Sequence, residues 1–202
     1  MSDILSFISE WQTLISALIA LIAALWTIKL MSKQSRGEEI RHAAGLERKK
    51  LAARAQMPDA LSGMAKYVQS CCLSLLEGAE KPEPPLLEMS TLKSVIEHID
   101  DAEAAKTFTL VSWYQVQHAR IQADRKLKEI ERNDMLYDAV LLLAHVNALF
   151  DYARNEGRSP ESAEPSREEM MTAFKNALSL NATIAKRDQL HGVIELINRR
   201  HH

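Results

Sequence analysis

The sequence predicts an all-α fold, in which an N-terminal transmembrane helix continues into a helical stem and then into a bundle of about six helices. Residues 11–28 form an 18-residue stretch without a charged side chain. Good helix formers dominate the remainder, and only six Gly and six Pro occur in 202 residues. Runs in which Val, Ile, Thr and aromatic residues alternate with polar ones, the pattern of strands, are absent.

The apolar stretch has the length and the flanks of a membrane-spanning helix. A helix of this length extends roughly 27 Å, against a hydrocarbon core about 30 Å thick. Residues 8–9 before the stretch, or residues 30–31 after it, close the gap. Trp11 and Trp26 lie near the two ends, where indole rings favour the interface. A soluble core helix would carry polar residues on one face, and a cleaved signal peptide would need basic residues within 1–12, which contain none. We therefore expect residues 1–31 to form a transmembrane anchor.

The charges that follow the apolar stretch predict its orientation. Residues 29–54 contain eight basic and three acidic side chains, which gives a net charge of +5. The positive-inside rule places this side in the cytoplasm, with the N-terminus outside. Lys29, Lys33 and Arg36 lie nearest to the bilayer, and we expect them to contact lipid headgroups.

Residues 32–56 are predicted to be a basic helical stem. As a straight continuation of the membrane helix, residues 29–54 would extend about 39 Å. Gly37 and Gly45 each weaken a helix by about 1 kcal/mol relative to Ala, so a bent stem that packs into the bundle is the alternative. Pro58 is expected to separate the stem from the bundle, because its ring removes a backbone hydrogen bond inside a helix.

The charge of the remaining chain argues against nucleic acid as a partner. The whole chain carries −2, of which residues 1–28 contribute −2 and residues 29–54 contribute +5, so residues 55–202 carry −5. A domain of that sign binds nucleic acid poorly. Cys71 and Cys72 are adjacent, so they offer no framework for an intrachain disulfide, and we expect them to be buried small side chains in a reducing compartment.

The predicted bundle domain covers residues 57–202, and its first helix runs from Pro58 to a stop at Gly78. Residues 81–90 contain three Pro and are predicted to be a loop. Ser90 is the expected N-cap of a helix through Lys106, and a longer helix follows at 107–132. The residues expected to face inward in these three helices are Leu61, Met64, Val68, Cys71, Cys72, Leu75, Leu92, Val95, Ile96, Ile99, Leu110, Trp113, Tyr114, Gln117 and Ile121.

Three more helices complete the predicted bundle. Asn133 or Asp134 is expected to cap the most apolar one, which ends near residue 157 and supplies the core centre at 136–150. The Asp, His, Asn and Arg residues within it disfavour the alternative that it is a second membrane span. A loop at 158–166 leads to Ser166 and Glu169, which have the spacing of a capping box, and a last helix covers 184–200.

No residue pattern predicts a catalytic centre, a metal site or a cofactor site. The seven His residues include no HExxH pair, and no cluster of Cys or carboxylates completes a metal set. His98, His118 and His145 fall on three separate predicted helices, so a polar pocket where they meet is one hypothesis. The simpler interpretation is that they are surface or hydrogen-bonded core histidines. Asp151 and Arg154 have the spacing of a helix-end ion pair.

Small side chains define one face of the membrane helix. Ser16, Ala20 and Ala24 are spaced by four residues and therefore share a face. Such a face lets two helix backbones approach closely. The pattern predicts that a second copy or another membrane helix packs there.

Two segments carry a resemblance to a known group of proteins. The opening, FISEWQTLISALIALIAALWTIKLMSKQ, precedes a basic stem that ends RAQMPDALSGMAKY, and LFDYAR occurs at Leu149–Arg154. These segments resemble a group of uncharacterised small bacterial single-pass inner-membrane proteins, with a Trp-Gln-Thr-Leu membrane helix, a basic stem and a helical domain. The resemblance covers about a third of the chain. It implies location in an inner (plasma) membrane and assigns no activity or site residue.

Two hypotheses about function follow. The first is a non-catalytic, membrane-anchored helical module for interaction or assembly, with the lipid bilayer and a protein or a second copy as partners. It rests on an anchored bundle without a recognisable reaction centre. The alternative is an enzyme or a small-ligand sensor with a polar pocket between bundle helices, and it rests on the three histidines alone.

Overall fold

The computed structural model describes residues 2–78, 80–123, 127–156, 164–178, 184 and 186–201, with the backbone alone for residues 2–10, 13 and 187–189. Over these ranges the chain is helical and has no strand, so the predicted all-α class is confirmed. The helices are α1 (Ser2–Glu77), α2 (Leu86–Val95), α3 (Asp101–Gln122), α4 (Glu129–Asn147), α5 (Phe150–Ala153), α6 (Arg167–Ala177) and α7 (Arg187–Arg200).

The chain divides into two compact units, Met1–Arg48 and Lys49–His202. The described part of the first unit belongs entirely to α1. The second unit contains the end of α1 together with the other helices. Residues 49–56, which the sequence assigned to the stem, belong to the second unit, where the Ala53 side chain is buried.

Helix α1 continues through Pro58, where the sequence predicted a new start. A proline inside a helix removes one backbone hydrogen bond and strains the preceding turn. Met57, Leu61 and Met64 are completely buried, and their contacts hold the helix together across this position. The expected helix start at Pro58 is therefore wrong, because tertiary packing outweighs the local preference.

Helix α4 forms the centre of the second unit. It packs against α3, α6 and α7, and every residue from Met135 to Ala144 is buried. A helix that is apolar nearly all round needs neighbours on all sides. The prediction of a core centred on residues 136–150 is thus confirmed. One continuous cluster of buried side chains extends from Ala53 in α1 to Ile197 in α7.

The boundary between α2 and α3 differs from the prediction. Helix α2 begins at Leu86, four residues before the expected Ser90 cap, because Pro85 occupies a cap position where no N–H is needed. It ends at Val95, and the chain turns before α3 begins at Asp101. The expected helix through residue 106 is therefore wrong.

Of the other predicted helix ends, some lie where the local sequence places them and one does not. Gly78 ends α1 with a positive φ of 66°, and its N–H donates to Ser74 O at 2.9 Å. The Ser166 capping box is confirmed, with the Glu169 N–H donating to Ser166 Oγ at 3.2 Å. Helix α4 instead begins at Glu129, before the expected cap at Asn133 or Asp134. Most of the predicted loop at 158–166 lies outside the described residues.

Candidate functional site

The first unit exposes a continuous apolar surface. The described side chains from Trp11 to Met31 are all exposed, and α1 is long and apolar enough to cross a membrane, with a mean hydropathy of 2.2 over its most apolar window. The large apolar side chains of this surface, which we call the anchor surface, are Trp11, Leu14, Ile15, Leu18, Ile19, Leu21, Ile22, Leu25, Trp26, Ile28, Leu30 and Met31.

The predicted packing and headgroup residues all lie on this part of α1 with exposed side chains. Ser16 Oγ donates to Gln12 O at 2.8 Å, so its hydroxyl is satisfied within the helix. Ala20 and Ala24 follow on the same helical face. The predicted headgroup residues lie at or just beyond the end of the anchor surface, and the side chains of Lys29, Lys33 and Arg36 are exposed. An exposed side chain is what the predicted lipid contact requires.

The three histidines of the predicted polar pocket have separate surroundings. His98 is exposed in the turn between α2 and α3, and His145 is half-buried in α4. His118, in α3, contacts Tyr67 and Tyr114. Within the described part of the chain, no hydrogen bond or ring contact joins any two of the three. Burial lowers the pKa of His145, which keeps it neutral at physiological pH.

His118 belongs to a polar cluster inside the second unit, the Tyr67 cluster, which also includes Tyr67, Cys71 and Tyr114. The Tyr67 hydroxyl and His118 Nδ1 are 2.9 Å apart, and the Tyr114 ring stacks on the imidazole at 5.4 Å. Tyr67 also meets Tyr114 edge to face. Aromatic pairs of this kind contribute about 0.5–1.5 kcal/mol beyond the effect of the area they bury.

The thiols beside this cluster have the properties of structural residues. Burial raises the pKa of Cys71 to about 11 and raises that of Cys72 further. A reactive cysteine shows the opposite shift, toward the thiolate. The expectation that both are buried small side chains is confirmed, since each is free and buried. Burial also raises the pKa of Tyr67, so its hydroxyl stays protonated.

A second polar group, the Asp100 network, joins Lys50, Arg54, Asp100 and Tyr152. Lys50 Nζ lies 2.8 Å from Asp100 Oδ1, and the Tyr152 hydroxyl donates to Asp100 Oδ2 at 3.1 Å. The Arg54 guanidinium lies over the Tyr152 ring and donates to Tyr152 O. The Lys50 ammonium holds the pKa of Asp100 below its usual range. Sequence reasoning missed this network because its members are far apart in the chain.

Asp151 and Arg154, on either side of Tyr152 in the chain, do not interact as predicted. The Arg154 guanidinium lies 5.0 Å from the Phe150 ring centre. The predicted pair with Asp151 does not form, because α5 is a single turn and Arg154 lies just beyond its end.

The third polar group lies between α3 and α4. Arg120 Nη1 donates to the Asp138 carboxylate, and burial raises the pKa of Asp138 although the Arg120 charge acts in the opposite direction. Gln117 is buried beside them, and its amide makes no hydrogen bond of normal geometry with the described residues.

Described residues of the second unit line at least two cavities. One, of about 470 Å³, lies between α4 and α7, and Arg200 and Asp134 form an ion pair at its edge. The other, of about 410 Å³, lies where α1, α3 and α4 end or begin, and its wall includes Lys81, Arg120 and Arg132. No group of three His, Cys, Asp or Glu residues in the described ranges has the arrangement of a metal site.

Comparisons with protein-family models, with curated proteins and with solved structures found no match to this chain.

Proposed function

We propose that the chain is a single-pass membrane protein whose N-terminal helix anchors a helical interaction or assembly module to a lipid bilayer. The observation that carries this proposal is the anchor surface, on which consecutive apolar side chains of α1 are exposed around the whole helix. An apolar surface of this length is unfavourable in water and stable in hydrocarbon. The second unit has its own buried core and therefore does not need the anchor surface to cover it.

The proposed orientation places the N-terminus outside and the second unit in the cytoplasm of a bacterial inner (plasma) membrane. Its support is the net charge of +5 over residues 29–54. Lys29, Lys33 and Arg36 would then contact anionic headgroups of the cytoplasmic leaflet.

An interaction role fits the second unit better than catalysis does. Burial suppresses ionisation of Cys71, Cys72 and Tyr67, which makes them poor nucleophiles. The ion pairs of Asp100 and Asp138 join helices to one another and so serve the packing of the bundle. The alternative function, a small-ligand sensor, is supported by one observation, the 410 Å³ cavity.

Self-association through Ser16, Ala20 and Ala24 would make the chain an assembly module. We expect the full chain in mild detergent to contain more than one copy, as measured by native mass spectrometry. Ala20→Leu should shift the particle toward the monomer, because a larger side chain separates the two backbones. Ile22→Phe, which enlarges a side chain on the opposite face, is the matched control and should leave the mass unchanged.

A strictly monomeric wild-type particle that captures no protein from the membrane fraction would contradict the assembly role. Recovery of the full chain in the soluble fraction after cell lysis would contradict the anchor itself. The two parts of the proposal are therefore tested separately.

A further inference from the structure

The cavity near the ends of α1 and α3 combines basic and apolar walls. It has a volume of about 410 Å³, which lies within the range of small-molecule sites. Lys81, Arg120 and Arg132 supply its basic side, and Ile121, Leu127 and Met135 supply an apolar side. We call it the basic cavity. Among the described residues of its wall, Glu77 is acidic, and its side chain is exposed.

The three basic side chains of the cavity differ in the partners that they already have. Lys81 Nζ donates to Gln122 O at 3.0 Å, which fixes its ammonium at the C-terminal end of α3. Arg120 already binds the Asp138 carboxylate. Arg132 makes no ion pair with the described residues, and its Nε is buried without a hydrogen-bond partner among them.

Arg132 as a whole is half-buried, and a guanidinium without an ion-pair partner among the described residues favours an oxyanion as its counter-ion. The planar fork of arginine matches the two oxygens of a carboxylate or a phosphate. Lys81 donates to the carbonyl oxygens of Gln122 and Ala123, and since a lysine has three donors, one remains for an anion in the cavity. The apolar wall opposite these groups suits a ligand that also carries an apolar body.

We propose that the basic cavity binds a small organic anion, with its carboxylate or phosphate group on Arg132 and Lys81 and its apolar body against Ile121, Leu127 and Met135. This inference concerns the second unit alone and does not depend on the proposed membrane anchor or on self-association.

The test uses the full chain in nanodiscs of neutral lipid, with empty nanodiscs as the blank. Benzoate and phenyl phosphate are the anionic probes, and benzamide is a neutral molecule of similar shape. Isothermal titration should detect saturable binding of one copy of benzoate or phenyl phosphate per chain and no binding of benzamide. The stronger of the two anions identifies the head group, carboxylate or phosphate.

Two variants test the assigned residues. Arg132→Gln and Lys81→Gln should each lower the affinity for the anion by about tenfold or more. This is the effect of losing one charge-assisted hydrogen bond. Arg199→Gln, an exposed arginine at the other cavity, is the matched control and should change binding less than about twofold. Lys81 lies in an exposed loop, so its variant remains informative if Arg132→Gln fails to fold.

Three results would overturn the proposal. The first is the absence of saturable binding by both anions, and the second is binding of benzamide as tight as that of the anions. The third is an equal loss of anion affinity in Arg199→Gln and Lys81→Gln, which would mean that anion binding depends only on the overall charge of the protein.

Discussion

Asp100 connects three parts of the second unit through a single carboxylate. It accepts from Lys50 in α1 and from Tyr152 in α5, while its own backbone leads into α3. The Asp100 side chain forms no cap hydrogen bond for α3, although aspartate is a favourable cap residue. The long-range partners thus replace the local one at the residue before α3, which begins at Asp101 and not after Lys106.

We predict that Asp100→Asn lowers stability in a pH-dependent way. Because Lys50 lowers the pKa of Asp100, the folded state releases this proton at a lower pH than the unfolded state. The stabilisation is then complete above the unfolded pKa, about 3.9, and is lost as the pH falls through the folded value. The carboxylate is about half exposed, so we expect a loss of up to about 1 kcal/mol at pH 7 that shrinks below about pH 4.

Urea unfolding of the full chain in detergent at pH 7 and pH 3 measures this effect. Asp59→Asn, at an exposed position of α1 without an ion pair among the described residues, is the control. If wild type and Asp100→Asn differed in the free energy of unfolding by the same amount at both pH values, the carboxylate would not be the stabilising group.

At the scale of one helix, α6 depends on its N-terminal cap. The Glu169 N–H donates to Ser166 Oγ, and Glu169 Oε2 accepts from the Ser166 N–H at 2.7 Å. Ser166→Ala should therefore cost about 1 kcal/mol in the free energy of unfolding. Thr172→Ala, at an exposed position of the same helix, should cost less than about 0.5 kcal/mol. Equal effects of the two changes would show that the cap adds nothing to the intrinsic preference of the helix.

Helix α4 is buried without interruption from Met135 to Ala144. Leu143 is completely enclosed, so Leu143→Ala removes its contacts and leaves a cavity. We expect a loss of about 2–5 kcal/mol in the free energy of unfolding. Leu87→Ala, at an exposed leucine of α2, is the matched control. A cost below about 0.5 kcal/mol for Leu143→Ala would mean that α4 is not the central helix.

At the scale of the whole molecule, the proposed topology makes a prediction about the two ends of the chain. With the N-terminus outside, a reporter enzyme that is active only in the periplasm should remain inactive when fused to the C-terminus. The same reporter fused to the N-terminus should be active. Activity at the C-terminal fusion would contradict the orientation inferred from the basic residues of 29–54.

The sequence by itself determined the features that depend on local chemistry. The apolar N-terminal part of α1, the stop at Gly78, the cap at Ser166 and the buried middle of α4 follow from residue type and helical spacing alone. These signals are reliable because each depends on residues within a few positions of one another.

Only the tertiary structure decided the features that depend on distant partners. The packing of Met57 and Leu61 carries α1 through Pro58, and Lys50 and Tyr152 hold the carboxylate of Asp100 just before α3. Of the predicted polar pocket, His118 alone enters a buried cluster, and the basic cavity arises at Arg132, which no motif singles out. The physical reason is that such sites depend on where helix ends meet in space, and a periodic pattern along one helix carries no information about its neighbours.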